Sequence, residues 1–364
     1  MTSIRFVGMD VHKDSVNIAV LDHGKNELTF EKQLSNDRAR IGREMRRLAE
    51  GYTLLCCYEA GPCGYELKRF LDKMKVECVV AAPGLIPRRP TDRVKTDRRD
   101  AEKIVRMLRA GEIEPVHVLA PESEAVRDLV RCRDDVREDY LRRRLRLSAF
   151  LLRHGKVYRG SPWTQKHTAW LKALPWELPA LQETFEQYWF AVDEARERLK
   201  RCDDLIDGYA GMEPWKTAVD ILGCFRGIAT LTGIALVSEV EDFRRFPHPR
   251  NFMSYLGLTA SEYSSGNKRI QGAITKTGNK QLRRMLIEAA WHYRHKPLVS
   301  AHLAKRREGK PEWAIRLADK ANDRLTRRYH RMMARGKSKN KVVTAIAREL
   351  AGFIWASQVH GAAA

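Results

Sequence analysis

The segment Lys95-Thr96-Asp97-Arg98-Arg99-Asp100-Ala101 carries two carboxylates that are three residues apart. If a helix begins here, both side chains point to the same side of it. Two upstream acids, Asp10 and Glu59, each end an apolar run of strand length. Carboxylates at strand ends and at a helix start can converge on one point, where a hard cation such as Mg²⁺ would neutralise them. The four acids therefore predict a metal centre suited to phosphoryl transfer.

A second interpretation of the same acids is structural. Asp97 and Asp100 also fit a helix start, with one acid as the N-cap and another in the first turn. Asp10 fits a turn, and Glu59 fits a strand end before a Gly-Pro turn. Position favours the metal site, because each acid lies where an open α/β sheet places functional groups.

The apolar pattern of the first hundred residues predicts alternating strands and helices. Runs at 4–9, 15–21 and 28–34 are joined by short connections, which indicates antiparallel strands. Helix-spaced apolar residues then alternate with two further apolar runs. The predicted elements are a helix at 36–49, a strand at 53–58, a helix at 65–74, a strand at 76–82 and a helix at 98–110. This is the element order of a ribonuclease-H-like sheet.

The composition points to a polyanionic partner. Among 364 residues, 67 are Lys or Arg and 46 are Asp or Glu, which gives a formal net charge of +21. The sequence has no apolar run long enough to span a membrane, and its first residues do not resemble a signal peptide. Nucleic acid is therefore favoured over a lipid surface. The seven cysteines form no Cys-x-x-Cys pair and fit buried thiols in a reducing cytoplasm.

Beyond residue 120 the pattern changes to long helices. Heptad-like spacing over 126–150 and again from Leu181 to Ile206 predicts either an antiparallel hairpin or an oligomerising coiled coil. Arg142, Arg143 and Arg144 have no acid directly after them, which makes them candidates for a nucleic-acid backbone contact. Domains are predicted at 1–120, 121–210 and 211–364.

Further basic residues lie in two polar segments. The loop before the paired acids contains Arg88, Arg89, Arg93 and Lys95, which fit a phosphate-contacting loop or a merely solvated one. The second segment, 254–280, is polar and Gly-rich, and long loops of this kind are often functional. Its hydroxyl groups lie near four cations, although serines in loops are usually turn formers. These cations are Lys268, Arg269, Lys276 and Lys280, and a very basic run, Arg335 to Lys341, follows near the end.

Two groups of motifs resemble those of the insertion sequence 110 family of transposases. Asp10 in Gly-Met-Asp-Val-His-Lys, Glu59 in Tyr-Glu-Ala-Gly, and the Asp97/Asp100 segment are similar to the family's acidic tetrad. That tetrad belongs to an N-terminal domain resembling the RuvC Holliday-junction resolvase. Residues 255–279, with Tyr-Leu-Gly-Leu, Tyr-Ser-Ser-Gly and Lys-Thr-Gly-Asn, resemble the family's C-terminal transposase domain.

This resemblance implies a fold and a reaction. The fold class is α/β plus α: an N-terminal RuvC/ribonuclease-H-like mixed sheet, a central coiled-coil hairpin and a mostly helical C-terminal transposase domain with a serine loop. Asp10, Glu59, Asp97 and Asp100 would bind Mg²⁺, and Ser264 would attack the DNA phosphate to give a phosphoserine, with Ser265 as an alternative nucleophile. A bridge RNA would pair with donor and target DNA, and a homo-oligomer, a dimer or a tetramer, would complete the active sites. We expect a cytoplasmic, nucleoid-associated protein of bacterial type.

Two rival functions are compatible with the residues alone. A junction-resolving nuclease would use the same acids with water as the nucleophile and would form no covalent adduct. A non-catalytic nucleic-acid-binding scaffold would account for the positive charge but leave the acids without a role. Trapped covalent protein–DNA separates the recombinase from both alternatives.

Overall fold

The computed structural model describes residues 3–85, 96–265 and 268–361, and the chain forms two compact units, Met1–Leu119 and Ala120–Ala364. The predicted phosphate-contacting residues Arg88, Arg89, Arg93 and Lys95 lie outside the described residues, as does the side chain of Arg269.

The first unit is built on a five-stranded mixed sheet with the strand order β3-β2-β1-β4-β5. The two pairs β1–β2 and β2–β3 are antiparallel, whereas β4 runs parallel to both β1 and β5. The strands are β1 (Ser3–Val11), β2 (Ser15–Asp22), β3 (Phe30–Ser35), β4 (Tyr52–Glu59) and β5 (Glu77–Ala81). The prediction of a mixed α/β unit is confirmed.

Three helices cover the two faces of this sheet: α1 (Arg38–Leu48), α2 (Glu66–Lys73) and α3 (Asp97–Ala110). Strand residues alternate between the faces. Val7 and Met9 of β1 pack in one apolar layer with residues of α1 and α2, and Phe6 packs in a second layer with α3 residues. Burial on both faces explains why residues 6–9 of β1 form a continuous apolar run in the sequence.

The second unit begins with two long helices, α4 (Pro121–Arg153) and α6 (Pro179–Ala210), with the short α5 (Gln165–Lys172) between them. The long helices are antiparallel, because Arg133 pairs with Asp203 whereas Arg143, further along α4, pairs with the earlier Glu194. The apolar residues of the predicted heptad pattern in α6 pack against α4, since Phe185 and Val192 share an apolar cluster with residues of α4. The structure thus pairs these helices within one chain.

The rest of this unit is mostly helical. Its helices are α7 (Lys216–Gly223), α8 (Thr230–Val240), α9 (Pro249–Tyr255), α10 (Lys280–Ala290), α11 (Ala301–Arg307), α12 (Glu312–Ala334) and α13 (Lys339–Gly361). Val130 of α4 and Ile206 of α6 share one apolar core with α7 to α10, α12 and α13. The division of this unit at 210/211 stays a prediction. None of the described helices is long and apolar enough to cross a membrane.

The prediction that the serine segment forms a loop is wrong. Strands β6 (Ala260–Ser265) and β7 (Lys268–Ile274) form an antiparallel hairpin. The apolar pattern conceals it, since side chains on both faces of β6 are exposed and no alternation of apolar and polar residues is required. The Gly-Asn dipeptide between the two strands is a hairpin signal in the sequence.

Candidate active site

Asp10 and Glu59 lie at the carboxyl ends of adjacent parallel strands. In the register of β1 and β4, Met9 is opposite Tyr58, so the next residue on each strand is one of the two acids. Glu59 is the last residue of β4, and Asp10 is the last but one of β1. The sheet therefore presents both acids along one edge, as predicted from the apolar runs that precede them.

The first turn of α3 carries the other two acids. Thr96 is the N-cap, with an extended backbone, and its Oγ1 accepts a hydrogen bond from the backbone N–H of Arg99 at 3.4 Å. The expectation that Asp97 itself caps the helix is therefore wrong, and its carboxylate is left for other contacts. Asp97 and Asp100 both lie in the first helical turn, where the helix dipole favours negative charge.

Gly8 allows α3 to lie directly on β1. A Cβ at this position would lie 2.5 Å from the backbone nitrogen of Val105 and would also overlap the carbonyl oxygen of Ala101. No side chain larger than hydrogen fits between strand and helix here. The glycine two residues before Asp10 thus sets how closely α3, at Ala101 and Val105, approaches the strand that carries this acid.

Asp10, His12 and Asp97 form a compact group in which one ligand atom from each lies within 4.8 Å of the others. The Nε2 atom of His12 is 3.1 Å from Asp10 Oδ2 and 3.6 Å from Asp97 Oδ1. Burial raises the pKa of Asp10, the neighbouring His12 works against this, and the charges of Asp97 and Asp100 raise it further. A cation among these carboxylates would relieve their mutual repulsion.

The donor atoms of this group fit a divalent metal ion. Carboxylate oxygens suit Mg²⁺ or Mn²⁺, and an imidazole nitrogen is a ligand for transition metals. The structure brings Asp10 and Asp97 together, and Asp100 is near enough to act on Asp10 electrostatically. Glu59 is at the end of the neighbouring strand but is not in the compact group.

His12 is a site residue that the sequence analysis missed. It follows Asp10 by two residues, directly after the last residue of β1, and residues two apart on an extended chain face the same side. An Asp-x-His spacing at the end of a buried strand is the signal that could have identified it.

In the second unit, the hydroxyl of Ser264 has a carboxylate partner. Ser264 Oγ donates a hydrogen bond to Glu262 Oε1 at 2.9 Å, and Gln271 Nε2 donates to the other oxygen of Glu262 at 3.3 Å. Ser264 and Glu262 are two residues apart on β6 and share a face, whereas Ser265 faces the other way. Glu262 was missed because its role depends on a strand that the sequence pattern did not reveal.

The base of this hairpin is held by close backbone packing. Gly278 has a φ of +100°, and a Cβ there would overlap the carbonyl oxygen of Tyr255. The backbone N–H of Asn279 donates to that same carbonyl at 3.0 Å, and its side chain caps α10. The Tyr-Leu-Gly-Leu and Lys-Thr-Gly-Asn segments therefore meet at the hairpin base.

A buried ion pair also stabilises the base of the β6–β7 hairpin. Glu239 of α8 is 6% exposed and accepts two hydrogen bonds from Arg131 of α4, at 2.7 and 3.0 Å. Its Oε2 also accepts a hydrogen bond from Asn279 Nδ2 at 3.0 Å. Because a bidentate guanidinium and an amide both satisfy this carboxylate, the hairpin base is tied to α4 and α8.

The predicted nucleic-acid contacts differ in their surroundings. Lys268, Lys276 and Lys280 are exposed around the hairpin. Arg142 pairs with acids three and four residues before it, and Arg143 pairs with an acid of α6. The guanidinium of Arg144 lies 4.4 Å from the ring centre of Trp163. The arginine triplet is thus engaged within the chain, and its role in nucleic-acid binding stays a prediction.

Comparison with known proteins gives concordant matches for both units. A family described as a transposase of the DEDD type of IS110 matches residues 7–155, and the family "Transposase IS116/IS110/IS902" matches residues 219–304. A putative transposase of Sinorhizobium fredii is 39% identical over 354 residues. The match covers 96% of this chain and 87% of the length of that transposase. The transposase for insertion sequence element IS1533 of Leptospira borgpetersenii is 38% identical over 344 residues, covering 91% of this chain and 97% of its own.

Proposed function

Since the chain belongs to the IS110 family of transposases, we propose that it cuts and rejoins DNA through a phosphoserine intermediate, with Mg²⁺ held by Asp10, Glu59, Asp97 and Asp100. Ser264 is the proposed nucleophile, and Ser265 is the alternative. A bridge RNA that pairs with donor and target DNA is the proposed guide. The observation that carries the proposal is the hydrogen bond from the Ser264 hydroxyl to Glu262.

In the proposed mechanism, Glu262 is the base that a serine nucleophile needs. A serine hydroxyl is a weak nucleophile until an adjacent base or a metal activates it. In the proposed step the Ser264 proton passes to Glu262 Oε1 while Ser264 Oγ forms a bond to phosphorus. The bond from phosphorus to one deoxyribose oxygen breaks, and that oxygen leaves as a hydroxyl after taking up a proton. Bound Mg²⁺ would polarise the phosphate and stabilise the leaving oxygen.

Rejoining is the reverse reaction with a different strand. A deoxyribose hydroxyl attacks the phosphoserine, the new phosphodiester forms, and Ser264 Oγ recovers its proton. Because the intermediate keeps a phosphoester bond, strand exchange needs no high-energy cofactor. The four acids and the serine belong to different compact units. We propose that a homo-oligomer, a dimer or a tetramer, joins the acids of one protomer to the serine of another.

The test is a denaturing gel of labelled DNA incubated with guide RNA, Mg²⁺ and protein. Wild type should give a slowly migrating covalent adduct that Ser264→Ala and Asp10→Asn both lack, while Ser264→Ala retains RNA binding. An adduct that survives in Ser264→Ala and disappears in Ser265→Ala would move the nucleophile by one residue. Cleavage without an adduct in any variant would support the metal-dependent nuclease instead.

A further inference from the structure

One face of α12 and its C-terminal end is an array of arginines. Arg324, Arg327, Arg328, Arg331 and Arg335 are spaced i, i+3, i+4, i+7 and i+11, which places them along the same side of a helix. A neighbouring side of α12 is buried, with Ala318, Ala321 and Leu325 in the core of the second unit. The arginine face is therefore fixed toward solvent by the packing of the rest of the helix. We refer to these five residues as the α12 arginine face.

This face is poorly neutralised by the chain itself. From Arg324 to Arg348 the sequence contains no Asp or Glu. Among the described residues, the ion pairs of this face go to one carboxylate, Glu349 of α13, which contacts Arg324 and lies 2.8 Å from Arg328 Nη1. For Arg331 and Arg335 the described part of the chain provides no carboxylate partner. Within the described residues, several positive charges along this helix thus have no carboxylate partner.

The face forms an open groove rather than a flat surface. A cavity of about 560 Å³ is lined by the five arginines together with Met332 and Lys337. Arg327, Arg331 and Arg335 are exposed in it, and Arg328 is half-buried. From Arg324 to Arg335 the helix rises about 16 Å at 1.5 Å per residue. Nucleotides along one strand of duplex DNA rise about 3.4 Å each, so the groove spans roughly five of them.

We propose that this groove binds the phosphodiester backbone of a nucleic-acid strand, at a contact site separate from the Ser264 hairpin. Arginine guanidinium groups bind phosphates through two parallel hydrogen bonds, and a row of them favours a regularly charged polyanion over a single anion. Contacts to phosphate position a nucleic acid without reading its sequence. The inference rests on the proposed function insofar as the chain acts on nucleic acid. DNA and RNA share this backbone chemistry, so both are used as probes.

The decisive variant replaces three arginines of the face that have no carboxylate partner among the described residues, as Arg327→Gln/Arg331→Gln/Arg335→Gln. Glutamine is a good helix former, so α12 should remain intact. The matched control is Arg106→Gln/Arg196→Gln/Arg316→Gln, which removes the same charge from three arginines that each pair with a nearby acid. An Arg→Lys triple at the three positions of the arginine face keeps the charge and should retain the wild-type salt dependence.

Binding is measured by fluorescence anisotropy with a mixed-sequence DNA duplex and an RNA duplex of the same sequence, over a range of NaCl concentrations. The α12 glutamine triple should flatten the slope of log affinity against log salt by about two to three for at least one duplex, and lower affinity tenfold or more at about 100 mM salt. The duplex that is affected identifies the source of the phosphates. The control triple should stay within about twofold of wild type.

Equal binding of the α12 and control triples to both duplexes would overturn the proposal. The proposal would also be overturned if the α12 triple lost binding to a poly-glutamate peptide while its salt dependence of nucleic-acid binding stayed unchanged. The groove would then fit an acidic protein segment. The assay does not depend on strand cleavage. If wild type gives no covalent adduct but the α12 triple loses nucleic-acid binding, the proposed function fails and the phosphate groove stands. A normal adduct together with unaltered binding by the α12 triple would support the proposed function and refute the groove.

Discussion

Replacing Gly8 with alanine tests whether the contact between α3 and β1 sets the geometry of the acid cluster. The added Cβ would lie 2.5 Å from Val105 N and 2.8 Å from Val105 Cβ, whereas carbons in contact are about 3.5 Å apart. At Ala101 and Val105, α3 therefore has to move away from β1 by about 0.5 to 1 Å, the shortfall in that contact distance. Both partners are parts of regular elements, so a side-chain rotation cannot absorb the overlap.

The structure gives the expected size of the loss of stability and of the loss of cleavage. Overpacking of this kind costs about 1 to 3 kcal/mol. For a unit of this length that corresponds to a fall in Tm of about 4 to 12 °C. The same movement carries Asp97 and Asp100 away from Asp10, and a displacement of about 1 Å at a catalytic group reduces the rate by about 100-fold. We therefore expect Gly8→Ala to fold but to lose most of its Mg²⁺-dependent cleavage.

The assay pairs thermal unfolding with the denaturing-gel assay. All eight tryptophans lie in the second unit, so their fluorescence should be unchanged while circular dichroism detects the weaker first unit. Gly84→Ala is the matched control, because a Cβ at Gly84 meets nothing within 4 Å. A Gly8→Ala protein with wild-type Tm and wild-type cleavage would refute the packing of α3 on β1 as described.

Two further predictions concern the second unit. Glu262→Gln keeps a hydrogen-bond acceptor for Ser264 but cannot take up its proton. Formation of the covalent adduct should therefore slow by about 10²- to 10⁴-fold with DNA binding unchanged. An unaltered rate would assign activation of the serine to the metal cluster alone. Burial would raise the pKa of Asp220, but the ammonium groups of Lys216 and Lys310, each 2.8 Å away, outweigh it and hold that pKa below its ordinary value. A lowered carboxyl pKa stabilises the fold above the unfolded value and loses this effect as the pH falls through the folded value. Asp220→Asn should therefore lower the Tm at neutral pH, and its difference from wild type should shrink as the pH falls below the ordinary carboxyl range; an equal difference at both pH values would contradict the ion pairs.

Prediction from sequence succeeded where burial dictates the residue pattern. Strands β1, β2, β4 and β5 and helix α3 are recognisable because buried apolar residues fill them, whereas β3 has no buried residue. Asp10 and Glu59 are identifiable for the same reason, since each ends such a run. The apolar pattern constrains buried elements strongly and exposed ones hardly at all, which is why it predicts a loop where the β6–β7 hairpin forms.

Contacts made by exposed polar side chains depend on geometry that a linear pattern does not contain. The prediction for Arg142 to Arg144 rests on the residues that follow them, yet Arg142 pairs with acids that precede it by three and four residues. The acid that pairs with Arg143 is 51 residues away on α6. Helical neighbours at i−3 and i−4 can be checked from the sequence, but the partner on α6 requires knowledge of the hairpin pairing.

The two parts of the proposed active site are built in the same way. In each, a glycine permits a close backbone approach, at Gly8 and at Gly278, and each reactive residue has a hydrogen-bonding partner two positions away along the chain. Each half is thus ordered by contacts inside its own compact unit and does not need the other half for its local geometry. Neither half alone contains both the acids and the serine. The proposed mechanism requires the acids and the serine to meet at one phosphate, and we propose that assembly of the homo-oligomer brings them together.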